Sequence, residues 1–290
     1  MTFFIKIIKN PLGAIGFFLV FFWVIIAIFA PLIAPPEEGH DPYLVKRCSY
    51  HALPKAPSAD SPMGVTGGGY DILYGIVWGS RTAFKVSLIV VFFSSLIGIL
   101  VGGSGAYVGG YLDEIIMRVV DLFMSIPFLL AAIIMTVILG KGLHIVIIAL
   151  ITFGWRSYAR LIRSEILSVK EREYVIAAKA LGASSFRIFF RHVLPNSIYP
   201  VFVVASINMG RIVLIVSSMS FLGIGSEPGY ADWGQMINFA RKWIIGTPVN
   251  PFAFWYTYTY PSIAIFSFIM GWTLLGDVLR DILDPYIQSM

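Results

Sequence analysis

MTFFIKIIKNPLGAIGFFLVFFWVIIAIFAPLIAPP (Met1–Pro36) carries Lys6 and Lys9 near its start and then no charge from Asn10 to Pro36. A secretory signal has a shorter apolar stretch, about 7–15 residues, and a small-residue cleavage site. This run is longer and bulky throughout, so it is expected to remain as an anchor helix. Runs of similar character recur at Val86–Val108, Leu122–Leu139, Ile145–Trp155, Ile198–Ile224 and Tyr256–Gly276. With about 20 apolar residues needed per crossing, these predict an all-α, polytopic transmembrane bundle of about six spans. Ile145–Trp155 is too short to cross unaided and is expected to extend into the turn holding Arg156.

Composition agrees. The chain has 290 residues, of which 58% are hydrophobic and 13% charged, with a mean hydropathy of +0.82. Soluble domains carry roughly 25% charged residues, so much of this apolar surface must face lipid. The single cysteine, Cys48, excludes an intrachain disulfide and a thiolate cluster. His40, His51, His144 and His192 are too scattered for a metal site. No Ser-His-Asp or paired-carboxylate set points to a common pocket, so no catalytic, cofactor-binding or metal-ligating residue is expected. A G-x-x-x-x-G-K-[ST] phosphate loop is also missing: GKGLH (Gly140–His144) lacks the upstream glycine and the hydroxyl after Lys141. ATP-driven work would need another polypeptide.

The net charge of +5 is mostly a topology signal. Residues 156–197 hold Arg156, Arg160, Arg163, Lys170, Arg172, Lys179, Arg187 and Arg191 against Glu165, Glu171 and Glu173. The positive-inside rule keeps such a segment in the cytoplasm. Alternation then places both termini inside the cell membrane and residues 35–85 outside, with Arg81 and Lys85 on the disfavoured side. The chain thus divides into a tail and first helix (1–34), an extracytoplasmic loop (35–85) and a core (86–290) containing the cytoplasmic loop. No nucleic-acid-binding module is recognisable.

Within the basic loop, SEILSVKEREYVIAAKALGASSFRIFF (Ser164–Phe190) reads as two amphipathic pieces. Gly182 ends the first as a C-cap glycine does, and Ser184 or Ser185 caps the second. Pro195 and Asn196 are expected to close the unit. Such an element makes either a projecting knob, kept low by Ala177, Ala178 and Ala183, or an interfacial helix lying on lipid.

AAKALGASSFRIFFRHVLPN (Ala177–Asn196) resembles the "EAA" signature of ABC importer permeases. Ala177, Ala178, Gly182, Leu194 and Pro195 fall on its positions, while Ile176 replaces its glutamate and His192 its isoleucine. GSRTAFKVSL (Gly79–Leu88), GAYVGGYLDEIIMRVVDLFMSIPFLL (Gly105–Leu130), SFLGIG (Ser220–Gly225), DWGQM (Asp232–Met236) and LLGDVLRDILDP (Leu274–Pro285) are similar to blocks of the dipeptide/oligopeptide branch. MGVTGGGYD (Met63–Asp71) matches only loosely. The resemblance implies a type I-like permease fold forming half of a path for peptides, oligosaccharides or nickel chelates. It implies as partners a homologous second permease, two ATP-binding subunits and an extracytoplasmic binding protein. It also implies that Glu173–Pro195 is the coupling helix seated on the ATPase, with Glu173, Ala177, Ala178, Gly182, Ala183 and Pro195 as its contact residues.

Arg211 lies near the middle of the fifth run. A charge at that depth is costly and turns toward a cavity or partner. It is read either as a pathway-lining cation or as part of a structural pair. Ser206, Gly210, Ser217 and Ser218 suit helix packing or a polar path, which makes Arg211, Ser217 and Ser218 the candidate path residues. Asp121 is expected near a helix N-terminus, Pro127 and Pro200 to start or kink helices, and Tyr256, Tyr258 and Tyr260 to form an interfacial aromatic belt. An ion-driven secondary transporter is the alternative. It would need mid-membrane carboxylates, and Arg211 has no evident acidic partner. An intramembrane enzyme would need a converging nucleophile and base.

Overall fold

Asn10 separates the first two helices. Its side chain accepts from the Leu12 and Gly13 backbone N–H groups at 3.0 and 3.4 Å, ending α1 (Thr2–Lys9) and capping α2 (Pro11–Ile33), whose first residue is proline. The computed structural model describes residues 2–48 and 53–283. His51, and Asp284 and Pro285 of the C-terminal block, lie outside them. Pro31 sits inside α2 and has no N–H to give to the Ala27 carbonyl one turn back. Arg81 donates to that carbonyl instead (Nε to O, 2.5 Å) and also to Ile28 O at 3.2 Å. Trp78 Nε1 takes the Ala34 carbonyl at 2.8 Å.

Those donors belong to α3 (Ile72–Val108), capped by the Asp71 carboxylate on Tyr74 N at 2.8 Å. The helix therefore starts at Ile72, not at Val86 where the apolar run begins. Residues 72–85 look polar in sequence because Gly75, Gly79, Thr82 and two cations lower their hydropathy. The two glycines and the two cations have packing reasons. A Cβ on Gly75 or Gly79 would lie 2.7 Å from Met236 Sδ or 2.6 Å from the Trp233 ring, and Lys85 Nζ sits 5.4 Å from the centre of the Tyr43 ring. Further along α3, Ser94, Gly98, Gly102 and Ala106 recur every fourth residue and are all buried. This small-residue stripe lets the backbone of α6 come close: a Cβ on Gly98 or Gly102 would stand 2.7 Å from Trp155 O or 2.3 Å from Ala159 O.

Gly109 and Gly110, both at positive φ (76° and 60°), turn the chain into α4 (Gly110–Ser125). The Leu122–Leu139 run is not one straight helix. Pro127 starts α5 (Phe128–Leu139), bent by 84° from α4, because the residue before proline disfavours the helical region. Asp121 accordingly lies toward the C-terminal end of α4, and Asp113 occupies the first turn. α6 (Leu143–Lys170) runs far beyond Trp155, so Arg156, Arg160 and Arg163 are helical residues, not loop residues. After a break at Glu171–Arg172 come α7 (Glu173–Ala180) and α8 (Ser185–Ile188). Pro195 does not close the unit. The chain absorbs it through a π-helical turn at Phe189–Val193 and continues through α9 (Leu194–Ser197) into α10 (Tyr199–Phe221), where Pro200 lies in the first turn.

A short helix, α11 (Trp233–Ala240), precedes α12 (Tyr256–Leu283). Together with residues 34–48 and 53–71, α11 forms a cap at one end of the bundle. Val45 N donates to Gly229 O (2.8 Å) and Ala231 N to Tyr43 O (2.7 Å), and the Tyr43–Tyr230 and Tyr70–Phe239 rings stack at 5.6 and 4.8 Å. Tyr256 is buried under Gly64, so it packs the core and is not a belt residue; Phe252 and Trp255 do face outward. Among the described residues the β structure is limited to isolated bridges. Among the described residues five helices are long and apolar enough to cross a membrane, or six spans if the bent α4–α5 pair counts as one. The architecture is an all-helical bundle.

Candidate functional site

Two places gather the candidate functional side chains. The first is the knob formed by α7 and α8. Its turn is a Schellman closure: Ala183 N donates to Ala178 O (3.1 Å) and Gly182 N to Lys179 O (3.0 Å), with Gly182 at φ +77°. Ser184 caps α8 through the Arg187 N–H. One side is anchored, since Val175, Ile188 and Val193 join a core with Ile162, Ile166 and Ala106. The other side is bare: Leu181 is 89% exposed and Phe186 73%, beside exposed Ile176 and Tyr174. Lys179 and Arg187 flank this apolar tip and are exposed.

Polar contacts tie α6, from which the knob hangs, to α3 and α4, and one of them ties the knob itself to α3. Arg163 grips Asp113 through both nitrogens (Nε–Oδ1 and Nη2–Oδ2, each 2.7 Å), with side-chain exposures of 35% and 13%. Arg160 pairs with Asp121. Lys170 Nζ takes the last carbonyls of α3, Ala106 O and Tyr107 O, at 3.0 Å each, a favourable place for a cation. Tyr107 in turn donates its hydroxyl to Ser185 O at 2.6 Å, so α3, α4, α6 and α8 meet at one end.

The second place is a cavity of about 190 Å³ between α3, α5, α6 and α10, lined among others by Ser94, Phe128, Arg156, Tyr158, Asn208 and Arg211. Arg156 serves the α4–α5 break, donating Nη1 to the Phe123 and Ile126 carbonyls that the bend releases. Asn208 Nδ2 donates to Tyr158 Oη at 2.8 Å.

Residues 94–289 match the family described as binding-protein-dependent transport system inner membrane component, and residues 2–47 match the N-terminal TM domain of oligopeptide transport permease C. The chain belongs to this permease family. It is 33% identical over 281 residues to the dipeptide transport system permease protein DppC of Alkalihalophilus pseudofirmus, covering 97% of this chain and 88% of that one. It is 34% identical over 266 residues to the nickel transport system permease protein NikC of Escherichia coli K12 (92% and 93%). A glutathione transport system permease protein, GsiD of Pectobacterium atrosepticum, is 35% identical over 240 residues (83% and 77%). The fold is similar to an inward-facing MetNI methionine ABC transporter structure, with TM-score 0.55 and 21% identity over 73% of this chain and 97% of that one. The permease is thus a multi-pass integral membrane subunit of an ABC importer. It is not an enzyme, and the ATPase is a separate subunit.

Of the residues read from sequence, the permease brings Glu173, Ala177, Ala178, Gly182 and Ala183 together in the knob, and places exposed Pro195 on the helix that leaves it. Arg211 lines the cavity, but Ser217 and Ser218 do not. Ser217 lines a smaller pocket with Thr82, Asp232 and Trp233, and the Ser218 hydroxyl donates to Leu214 O at 2.8 Å. The sequence reading missed Asp113–Arg163, Lys170 and Arg156. The signal for Arg163 and Lys170 was their helical spacing on an extended α6, obscured by treating residues after Trp155 as a loop.

The cap holds a further polar knot. The Asp232 carboxylate is buried and accepts from Ser220, from Ser226 (2.9 Å) and from Gly234 N (2.8 Å). Burial raises its pKa, against the lowering effect of those donors. Among the described residues no group of His, Cys, Asp or Glu could hold a metal.

Proposed function

We propose that this permease forms one half of the translocation path of an importer with a homologous second permease, two ATP-binding subunits and an extracytoplasmic binding protein. In this reading both termini and the knob are cytoplasmic, and residues 35–71 with α11 face outward. The knob seats in a cleft of an ATPase subunit through Glu173, Ala177, Ala178, Gly182 and Ala183, with Leu181 and Phe186 as the apolar centre of the contact. The supporting observation is that exposed apolar tip, anchored on its other side to α6 through Val175, Ile188 and Val193. A large apolar patch rimmed by polar residues fits a protein partner, and the Arg163–Asp113, Arg160–Asp121 and Lys170 contacts would pass its displacement to α3, α4 and α6. Pro195, next to the π-helical turn, directs that motion into α10. Closure of the ATPases then switches the bundle between inward-open and outward-open states. The cargo is a peptide or a related small solute such as an oligosaccharide or nickel chelate, in line with the dipeptide, glutathione and nickel systems named for its relatives. Arg211, Ser217 and Ser218 are the proposed path residues, with Arg211 at the larger cavity.

The test is Leu181→Glu with Phe186→Glu in the whole importer. ATPase co-purification and solute-stimulated hydrolysis are expected to fall at least tenfold while membrane insertion persists. Undiminished transport would remove the knob from the mechanism.

A further inference from the structure

We infer that the cavity beside Arg211 is a transient binding site for a carboxylate group of the transported solute, an inference that rests on the proposed path. Three independent features converge there. First, the Arg211 guanidinium has no hydrogen-bond or ion-pair partner among the described residues, although it sits midway along a helix able to span the bilayer. Second, a second cation, Arg156, lines the same cavity, and no Asp or Glu lines it. Arg211 is exposed on the single chain and Arg156 donates only to neutral carbonyls, so the two like charges around this cavity repel each other and neither has a counter-charge, which an anion would supply. Third, Ser94 is among the residues around the cavity, and its buried hydroxyl has no hydrogen-bond partner. A buried hydroxyl without a partner is unusual and marks a donor awaiting an acceptor.

The chemistry selects the ligand. Guanidinium forks match carboxylates with two parallel N–H···O bonds, Ser94 can add a third donor, and the Asn208 amide is already committed to Tyr158. A cation ligand would meet two arginines and no acidic group. About 190 Å³ accommodates the carboxylate end of a solute with a few waters, at about 30 Å³ each, but not a whole oligopeptide. Apolar Phe128, Met124 and Ile215 on the remaining wall would face the adjoining aliphatic part. Because Arg156 is held by the carbonyls at the α4–α5 bend, an arriving carboxylate would also touch the bend itself.

Two measurements test this on the complete importer. In the purified assembly, phenylglyoxal modification of Arg211 is followed by peptide mass spectrometry with trialanine, trialanine amide or no solute. Trialanine is expected to slow Arg211 modification at least threefold, and the amide is expected to leave it unchanged. In proteoliposomes, Arg211→Gln is expected to lower trialanine uptake at least tenfold with little effect on the amide, and Arg211→Lys to retain most of the wild-type uptake. Equal modification rates, or an Arg211 that never reacts because an acidic side chain of the second permease covers it, would overturn the inference. So would an Arg211→Gln variant that loses both uptakes equally. A wild type that transports neither peptide while trialanine still protects Arg211 would sink the peptide-cargo reading and leave the carboxylate site standing.

Discussion

Gly102→Ala, with its neighbour Gly103→Ala as control, tests whether the small-residue stripe sets the α3–α6 distance. A methyl on Gly102 would lie 2.3 Å from Ala159 O and 2.7 Å from Ala159 Cα, both backbone atoms that cannot rotate away. Ordinary carbon contacts fall near 3.5–4.0 Å, so the two helices would have to part by about 1 Å. A methyl on Gly103 would meet only the end of the Ile166 side chain, at 3.4 Å. Both substitutions gain up to about 1 kcal/mol of helix propensity, which cancels in their difference. Overpacking costs roughly 1–3 kcal/mol, so Gly102→Ala is expected to be less stable than Gly103→Ala by about that amount. Equilibrium unfolding of the purified permease in mixed micelles measures the gap. A difference below about 0.5 kcal/mol, or one of opposite sign, would refute the close-packing argument, since overpacking is expected to cost more than that.

Gly182→Ala places a side chain at φ +77°, which costs about 1–2 kcal/mol at that turn although the space around it is open. ATPase association should weaken while unfolding of the membrane core is unchanged, read by pull-down and thermal melting. A double-mutant cycle on Asp113→Asn and Arg163→Gln should give a coupling of about 1 kcal/mol, discounted for partial exposure. Turnover of ATP without matched uptake is expected in either single variant. Cys48 is exposed, and partial burial with the nearby Asp71 raises its thiol pKa. The protonated form is therefore favoured at neutral pH. Labelling of intact cells by a membrane-impermeant maleimide should be slow there and keep rising with pH past about 8.5, where a free thiol is half ionised. Labelling only after membrane lysis would reverse the proposed orientation.

The sequence made the long apolar helices legible because lipid-facing surface has to be apolar whatever the tertiary contacts. Gly182 and Ser184 were legible because helix ends have local rules. Three things were not. The start of α3 was hidden because Arg81 and Lys85 depress hydropathy, and their partners, the Ala27 carbonyl and the Tyr43 ring, are far away in the chain. The 84° bend was hidden because Pro127 can either kink or begin a helix, and only the docking of Arg156 onto the freed carbonyls decides between them. The Asp113–Arg163 clamp was hidden because the positive-inside reading counts arginines without assigning partners, so Arg163 looked like one more topology charge. For the path, depth was readable from sequence and direction was not. Arg211 lines the larger cavity, Ser217 a smaller one beside Asp232 and Trp233, and Ser218 bonds its own helix.

The proline in α2 has a consequence for how such permeases acquire their first helix. The N-terminal match ends at residue 47 and the core match begins at 94, so α2 reads as an appended module, and Arg81 lies in the stretch between the two. A replacement helix without Pro31 would satisfy its own Ala27 carbonyl and make the Arg81 Nε compete for that acceptor. One that kept the proline opposite a neutral residue would strand the carbonyl. Grafts between relatives should therefore succeed when residue 31 and residue 81 travel as a matched pair, and fail to dock when either is exchanged alone.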